Sequence, residues 1–147
     1  MEAFEKKVRD SFGRQSFMST IGAEMVSVGR GTVEIRFPFS AKLTQQNRFV
    51  HAGAVTSIMD SACGYAALSI APEAVDVLSV EFKVSFLSPA IGESFVARAS
   101  VKRAGKRLAV CTADAFAVQA GEEKLIATML ATIMNMDLKP AGAGSGV

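Results

Sequence analysis

Apolar residues recur along this chain with two spacings, one typical of helices and one typical of strands. Between positions 3 and 18, Phe4, Val8 and Phe12 recur at near-helical spacing among charged residues, which predicts a short N-terminal helix. From Gly53 onward the same spacing continues, and almost every other position holds a small residue. A helix that is apolar or small all round is a buried helix. Pro72 ends it, because proline cannot continue a helix.

The remaining apolar segments alternate with polar residues and predict strands. These strands cover residues 22–28, 32–37, 77–87, 94–103, 107–118 and 124–136. The last of them is a nearly continuous apolar run, so we expect both of its faces to be covered. The order is helix, two strands, long helix, four strands. It predicts an α+β fold in which an antiparallel sheet of about six strands wraps around a long central helix.

The length and composition are those of one globular domain. The chain has 147 residues, half of them hydrophobic and a fifth charged. We expect a single domain over residues 1–139, in which 1–19 form an N-terminal helical segment. The small residues 140–147 predict a flexible tail.

Several classes of protein are excluded by what the sequence lacks. The net charge is only +2, with no Trp and one Tyr, so we expect no nucleic-acid partner. One His and two separate cysteines, Cys63 and Cys111, predict no metal site and no metal cofactor; the simplest interpretation is two reduced, buried thiols. No apolar run is long enough to span a membrane, because Asp60 interrupts the best candidate. We therefore expect a cytoplasmic protein that does not bind a membrane.

The predicted start of the central helix carries candidate chemistry. His51, the only histidine, is followed by the small residues Ala52 and Gly53, and Asp60 is the one acid on the apolar helix. Unpaired N–H groups at a helix start favour negative charge, as an oxyanion requires. A carboxylate on a buried helix is seldom tolerated unless it is paired or functional.

Two motifs resemble a known family. Residues 50–67, VHAGAVTSIMDSACGYAA, resemble the signature of the PaaI-type acyl-CoA thioesterases, H-G-G followed after six further residues by an acid. Residues 80–93, VEFKVSFLSPAIGE, resemble the strand that follows in that family, with its L-x-P-A-x-G end. The resemblance covers roughly residues 20–135. It implies the hotdog fold of the 4-hydroxybenzoyl-CoA thioesterase superfamily, in which a curved sheet wraps a central helix.

The resemblance also implies roles for individual residues. Asp60 matches the general base or nucleophile, and Ala52 falls where an amide N–H polarises the thioester carbonyl. Gly53 matches the second glycine of the signature. His51 matches a histidine that holds the active-site loop or substrate, and Ser79 lies near a position that supports the attacking water. The alternative for Asp60 is a purely structural acid, paired at a dimer interface.

The chain departs from the family pattern at two places. The H-G-G step is His-Ala-Gly here, which keeps the N–H donor but not the backbone freedom of glycine. Many members carry Asn six residues before the histidine, and this chain has Gln45 there, followed by Gln46 and Asn47. Any of these three could take that role.

Substrate contacts are expected from aromatic and basic residues. Aromatic residues near the helix could line an acyl pocket, with core packing as the alternative; they are Phe49, Tyr65 and Phe82. Basic residues flank the predicted turn at 104–106 and would contact the phosphates of coenzyme A, with a solvated turn as the alternative; they are Arg103, Lys106 and Arg107.

Helix geometry separates the two candidate catalytic groups. Ala52 and Asp60 are eight residues apart, which is ~12 Å along a helix and about 80° around its axis. One thioester carbonyl cannot reach both groups of the same chain. Either one group is not catalytic, or the two come from different chains of a homodimer with antiparallel central helices. We therefore expect a homo-oligomer, a dimer or a dimer of dimers, with two composite sites per dimer.

The expected function is hydrolysis of an acyl-CoA to the free acid and coenzyme A, with no cofactor. One alternative is a hydratase or dehydratase of the same fold, using His51 and an acid of the partner chain. Another is a non-catalytic protein that binds acyl-CoA. Asp60 distinguishes them, because hydrolysis requires this acid and binding alone does not.

Overall fold

A computed structural model describes residues 1–137; the expected tail and the last two residues of the expected domain lie outside this range. The helices are α1 (Ala3–Gly13), α2 (Ser16–Thr20) and α3 (Ala52–Ile70), and a 3₁₀ turn covers Ala41–Leu43. The strands are β1 (Glu24–Gly29), β2 (Thr32–Pro38), β3 (Val75–Phe86), β4 (Ser94–Ala104), β5 (Leu108–Gln119) and β6 (Glu122–Asp137).

The six strands form one antiparallel sheet in the order β1-β2-β4-β5-β6-β3. α3 packs against one face of this sheet and contacts all six strands. The predicted α+β architecture, a sheet of about six strands around a long central helix, is confirmed. Strand boundaries differ from the predicted ones by a few residues at most. β3 and β1 are the two edges.

The N-terminal segment differs from its prediction. The single helix expected over residues 3–18 is two helices, because α1 ends at Gly13 and a new turn begins at Ser16. Glycine weakens a helix by leaving the backbone too free, so it favours a break at this point. α1 is held in place by the Lys7 ammonium, which donates to the carbonyls of Pro72 (2.9 Å) and Val75 (2.8 Å).

Small side chains on both elements allow α3 to lie close to the sheet. Buried residues of the helix include Ala62, Cys63 and Ala66. The facing positions of the sheet are also largely alanine: Ala97, Ala99, Ala109, Ala113, Ala115, Ala117, Ala127 and Ala131. Close approach maximises dispersion contacts between the two layers. Despite its apolar character, neither α3 nor any other helix among residues 1–137 has the length and hydropathy to cross a membrane.

The last strand buries only one face within the protomer. Met129, Ala131 and Ile133 are buried under α3, whereas Leu130 and Met134 of the opposite face are exposed. The continuous apolar run of β6 had predicted cover on both faces. The second face of β6 lies on the outer side of the sheet, and no other layer of residues 1–137 covers it.

Both cysteines are buried free thiols. Burial raises the pKa of Cys111 to about 11. It also raises the pKa of Cys63, where the nearby Cys111 and Asp60 charges add to the effect. A buried thiol with a raised pKa is a poor nucleophile, so these residues act as small apolar core residues.

The C-terminal half of α3 is fixed to the sheet by one buried hydroxyl. Ser69 Oγ accepts a hydrogen bond from Gly31 N–H (2.7 Å) and donates to the Ala66 carbonyl (2.7 Å). Gly31 lies in the β1–β2 turn with φ of +77°, a conformation that favours glycine. The contact joins the turn to the helix through groups that water cannot reach.

We predict that Ser69→Ala lowers the free energy of unfolding by about 1–3 kcal/mol, because the buried Gly31 amide loses its acceptor. Ser57→Ala is the matched control, since the Ser57 hydroxyl donates only to the Gly53 carbonyl of its own helix and is partly exposed. Urea denaturation followed by circular dichroism measures both. Equal stability of the two variants would contradict the role given to Ser69.

Candidate active site

The N-terminus of α3 is capped by a histidine. His51 is the N-cap residue, and its Nδ1 accepts a hydrogen bond from Gly53 N–H at 2.7 Å. An accepting Nδ1 carries no proton, so the neutral ring holds its proton on Nε2. The cap satisfies one of the N–H groups that a helix leaves unpaired at its start.

The structure gives a physical reason for the His-Ala-Gly sequence. A Cβ atom at position 53 would lie 2.9 Å from His51 Nδ1 and 3.2 Å from its Cε1, so the capping ring requires glycine there. Ala52 has an ordinary negative φ and is exposed, so its methyl group causes no strain. Within residues 1–137 the Ala52 amide has no hydrogen-bond partner. Of the two candidate donors, the Gly53 amide is occupied and the Ala52 amide is free.

The loop before the helix is ordered by Gln45. Gln45 N–H donates to the Phe49 carbonyl (2.8 Å), and its side-chain Oε1 accepts from the Asn47 amide. His51 N–H donates to the Leu43 carbonyl (2.8 Å), which closes the loop onto the start of the helix. Gln46 and Asn47 are exposed. Of the three candidates, Gln45 is the one whose side chain accepts a hydrogen bond within this loop, and the choice among them for the role of the upstream Asn stays a prediction.

A cavity of about 250 Å³ opens beside the helix start; we call it the helix-start cavity. It brings together four residues singled out in the sequence, namely Gln45, Phe49, His51 and Ala52. Phe86 at the end of β3 and Ile126 on β6 complete an apolar wall. The free amide of Ala52 thus lies at the edge of an apolar hollow.

Asp60 lies two turns further along α3 and is held by Ser79. The Ser79 hydroxyl on β3 donates to Asp60 Oδ1 at 2.6 Å. The pairing of β3 with β6 shifts between Ser79 and Glu81, which is a β-bulge at Val80. Bulges re-aim side chains next to sites of function. The contact leaves Oδ2 of the carboxylate available to a water or a substrate.

A second cavity, of about 410 Å³, lies beside this carboxylate; we call it the Asp60 cavity. Its wall is mostly polar and is formed by Ser11, Gln15, Asp60, Ser61, Gly64, Tyr65, Asp76, Val77, Leu78 and Ser79. Tyr65, predicted to line an acyl pocket, is among them. Burial and the Asp76 charge raise the pKa of its phenol, opposed by the Ser11 hydrogen bond and the Arg14 charge.

Sequence reasoning missed Ser11, Gln15 and Asp76. The first two lie in the N-terminal segment, where only the apolar stripe was considered. Ser11 lies near the end of α1 and Gln15 is the N-cap of α2, so no shared helical spacing could have found them. No local signal marks Asp76 either, which enters the cavity only through the position of β3.

The remaining predicted residues line neither cavity. Phe82 is 42% exposed on the edge strand β3. The basic residues of the β4–β5 turn are exposed, and within residues 1–137 their side chains have no ion-pair or hydrogen-bond partner. This turn lies at the opposite end of the sheet from His51. The turn is nevertheless close to the Asp60 cavity. The backbone carbonyl of Arg107 accepts a hydrogen bond from Asn135 N–H, and Asn135 pairs with Val77 of the cavity wall.

The candidate residues thus form two groups in one protomer. Ala52 and His51 belong to the helix-start cavity, and Asp60 and Ser79 belong to the Asp60 cavity. Over the described part of the chain, no group of three or more His, Cys, Asp or Glu side chains could hold a metal ion. The available chemistry is an oxyanion donor at one site and a held carboxylate at the other.

Comparisons with known proteins point to one family of hydrolases. The chain is similar to a thioesterase family protein from Silicibacter pomeroyi, with 51% identity, coverage of 92% of this chain and 99% of that one, and a TM-score of 0.90. It is 29% identical to a predicted esterase of Saccharolobus solfataricus over 86% of this chain and 81% of that protein.

The PaaI protein of E. coli, from the phenylacetic acid degradation operon, shares the hotdog fold with a TM-score of 0.81. It is 18% identical, covering 90% of this chain and 93% of that one. The family model of the thioesterase superfamily matches residues 47–124, which include the start of α3, Asp60 and Ser79. The chain belongs to the thioesterase superfamily and is a thioester hydrolase.

Proposed function

We propose that this protein hydrolyses acyl-CoA thioesters at sites shared between two protomers, with no metal or other cofactor. One observation carries the proposal: the chain holds one free helix-start amide and one held carboxylate, and it keeps them in separate cavities. They are eight residues apart on α3, or ~12 Å along its axis. A second chain is the economical way to bring the two groups to one thioester.

The edge strand β3 supports a specific arrangement of that second chain. β3 is 12 residues long, and within the sheet it pairs only with β6. Val80, Phe82 and Phe86 are 54%, 42% and 50% exposed. A long apolar edge strand favours pairing with another chain. Pairing of β3 with the same strand of a second protomer would bury these residues and use the unpaired backbone groups.

Such pairing would place unlike halves of the site together. β3 carries Ser79, which contacts Asp60, and Phe86, which lines the helix-start cavity. In an antiparallel pair of β3 strands centred near residues 82 and 83, Ser79 of one chain faces Phe86 of the other. The Asp60 cavity of one protomer would then adjoin the helix-start cavity of its partner, giving two equivalent sites per dimer.

The chemistry follows from the groups at each site. The Ala52 amide of one protomer polarises the thioester carbonyl and stabilises the oxyanion, helped by the positive end of the α3 dipole. Asp60 of the partner takes a proton from the attacking water, which adds to the carbonyl so that the C–S bond breaks and the thiolate of coenzyme A leaves. In the other route Asp60 attacks the carbonyl itself, the thiolate leaves as an anhydride forms, and water then hydrolyses the anhydride to the free acid. The Ser79 hydroxyl engages Oδ1 of Asp60, so Oδ2 is the oxygen that takes the proton or attacks the carbonyl. His51 orients the helix start, because its Nδ1 is engaged with the Gly53 amide.

The same geometry weighs against the alternatives. A hydratase using His51 would require a ring nitrogen as the base, and Nδ1 is occupied by the helix cap. A protein that merely binds acyl-CoA has no use for a carboxylate held at 2.6 Å by a serine. The held acid favours hydrolysis.

Coenzyme A is the proposed carrier because of the basic β4–β5 turn. Arg103, Lys106 and Arg107 are exposed cations without partners within residues 1–137, and they lie near the Asp60 cavity. Free guanidinium groups form strong, charge-assisted hydrogen bonds with phosphates. The cluster is thus available for the nucleotide end of the carrier.

We expect Asp60→Asn to lower kcat for acyl-CoA hydrolysis by at least about 100-fold, the scale of losing a general base or nucleophile. Release of free thiol over a panel of acyl-CoAs measures the rate. Asp114→Asn is the matched control, because Asp114 contacts Thr128 on the outer face of the sheet, away from both cavities. Full activity of Asp60→Asn with an unchanged circular dichroism spectrum would rule out the proposed mechanism.

A shared site predicts rescue in mixed dimers. Ala52→Pro removes only the free N–H, since proline is tolerated at the first position of a helix, and we expect it to lower kcat at least about tenfold. Ala52→Gly, which keeps the N–H, should remain active. Heterodimers of an Ala52→Pro chain with an Asp60→Asn chain should recover up to half of the wild-type activity per dimer, because one of their two sites is intact.

The mixed dimers are prepared with two affinity tags and purified over both. Recovery of no activity in tagged heterodimers would show that each protomer acts with its own groups or that one group is not catalytic.

Charge reversal tests the basic turn. Arg103→Glu with Arg107→Glu should raise KM for acyl-CoA at least fivefold, while KM for the same acyl group on N-acetylcysteamine, which lacks the nucleotide, changes less than twofold. Arg30→Glu with Arg36→Glu changes the net charge equally at the β1–β2 hairpin and serves as control. An equal rise in KM for both substrates would leave the turn without a role in carrier binding.

A further inference from the structure

Gln15 directs its side chain away from the helix that it begins. It is the N-cap residue of α2, yet its side chain makes no cap hydrogen bond there. Its Oε1 instead accepts from the Ser61 hydroxyl of α3 at 3.0 Å. Glutamine is not among the residues that helix N-caps prefer, so the capping position does not account for this residue. Its side chain serves the Asp60 cavity rather than its own helix.

The contact with Ser61 holds the Gln15 amide beside Asp60. Ser61 directly follows Asp60 on α3, and both residues line the Asp60 cavity together with Gln15. A second hydrogen bond, from the Ser11 hydroxyl to the Tyr65 hydroxyl at 3.3 Å, ties the end of α1 to the same helix. The segment that carries Gln15 is therefore fixed to α3 on both sides of the break between α1 and α2.

Two acceptor oxygens without donors line this cavity. An amide oxygen accepts two hydrogen bonds, and within residues 1–137 the Ser61 hydroxyl is the one side-chain donor to Gln15 Oε1. The carboxylate of Asp60 is similar, because Ser79 engages Oδ1 at 2.6 Å and no donor of these residues reaches Oδ2. A water molecule has two protons to donate, so it matches one acceptor on each side chain.

We propose that Gln15 is a further catalytic residue, which orients the attacking water for Asp60. The proposal rests on the thioester hydrolysis proposed above and selects one of its two routes. The water donates one proton to Asp60 Oδ2 and the other to Gln15 Oε1, which leaves a lone pair of its oxygen for the thioester carbonyl.

The reaction then follows the general-base route. Asp60 takes the first proton as the water oxygen bonds to the carbonyl carbon. The C–S bond breaks, the proton on Asp60 passes to the thiolate of coenzyme A, and the proton held at Gln15 stays on the acid product. A glutamine orients the attacking water in GTP hydrolysis in the same way. Asp60, Ser79 and Gln15 of one protomer thus act on the water, while the amide of the partner's Ala52 acts on the carbonyl.

Gln15→Met keeps the length of the side chain but removes the amide oxygen. It should lower kcat at least about tenfold while KM changes less than twofold, because it misplaces the water and leaves substrate binding intact. Gln119→Met makes the same change at the exposed end of β5 and should keep wild-type kcat and KM. Circular dichroism confirms that both variants fold.

Hydroxylamine separates a role in placing water from a general loss of structure. This nucleophile attacks the bound thioester without the help of a general base and gives a hydroxamate and free thiol. In Gln15→Met the ratio of hydroxamate to acid should rise at least fivefold over wild type, after subtraction of the reaction without enzyme. Ala52→Pro, which weakens activation of the carbonyl, should slow both reactions and leave the ratio within twofold of wild type.

Ser61→Ala frees the Gln15 amide without changing Gln15 itself. It should raise the same ratio at least twofold, and it decides the matter if Gln15→Met does not fold. In a single turnover of the wild type in H₂¹⁸O, the acid should carry one ¹⁸O, because water adds to the acyl carbon.

A wild-type kcat in Gln15→Met, an unchanged ratio, or an unlabelled acid in the first turnover overturns the proposal. The last result would show that an oxygen of Asp60 enters the product through an anhydride. Full activity of Asp60→Asn would instead contradict the hydrolytic mechanism itself. An inactive Asp60→Asn beside a fully active Gln15→Met contradicts only the role of Gln15, so the two failures are distinguishable.

Discussion

The close packing of α3 against an alanine-rich sheet face is the constraint on which the rest of the structure depends. Alanines on three neighbouring strands, β4, β5 and β6, and on the helix itself let the two layers approach closely. The helix is wrapped along most of its circumference. Only the side of α3 toward β3 and α1 remains partly open, and Asp60 lies there. The packing that excludes polar groups elsewhere therefore also fixes where the single acid can be tolerated.

At the start of α3 the structure depends on which backbone amides are bonded by a side chain. His51 satisfies the Gly53 amide and requires glycine at that position, since a Cβ atom would meet its ring. Ala52 precedes it with ordinary backbone geometry and an amide that the protein itself does not use. Of the two glycine positions of the signature, the second is thus the one where the histidine cap leaves no room for a side chain. Alanine at the first glycine position preserves the donor, which explains why the departure from the motif is tolerated.

Much of the fold could be predicted because its elements have strong periodicities. The alternation of Val33, Ile35 and Phe37 and the apolar helix after Gly53 predict their elements directly, and the structure confirms them. The break between α1 and α2 was missed, because the apolar stripe of the segment runs past the weak point at Gly13. Burial of only one face of β6 was missed as well, since an apolar residue on an outer strand face looks identical in sequence to a core residue.

Some features of the candidate site likewise depend on residues close in sequence, and others depend on contacts between residues far apart in sequence. The cap of His51, the loop at Gln45 and the place of Asp60 depend on residues close in sequence, and the family resemblance marked them. Gln15 reaches Ser61 across 46 positions, and Ser79 reaches Asp60 across 19. Contacts of that kind follow from how α1 and β3 dock on α3, which no local pattern encodes. Phe82 lies on the edge strand β3, where its ring is half-exposed in the protomer, and its expected place in an acyl pocket stays a prediction.

A consequence of this division is that the proposed catalytic groups and one wall of the Asp60 cavity come from different segments of the chain. The free Ala52 amide, Asp60 and Ser79 lie within residues 47–124, whereas that wall comes from residues 11 and 15. Substitutions in α1 can reshape that wall without moving Asp60, because the helix is tied to β3 through Lys7 and backbone carbonyls rather than through the acid. The shape of the Asp60 cavity can therefore change while the carboxylate and the serine that holds it stay in place.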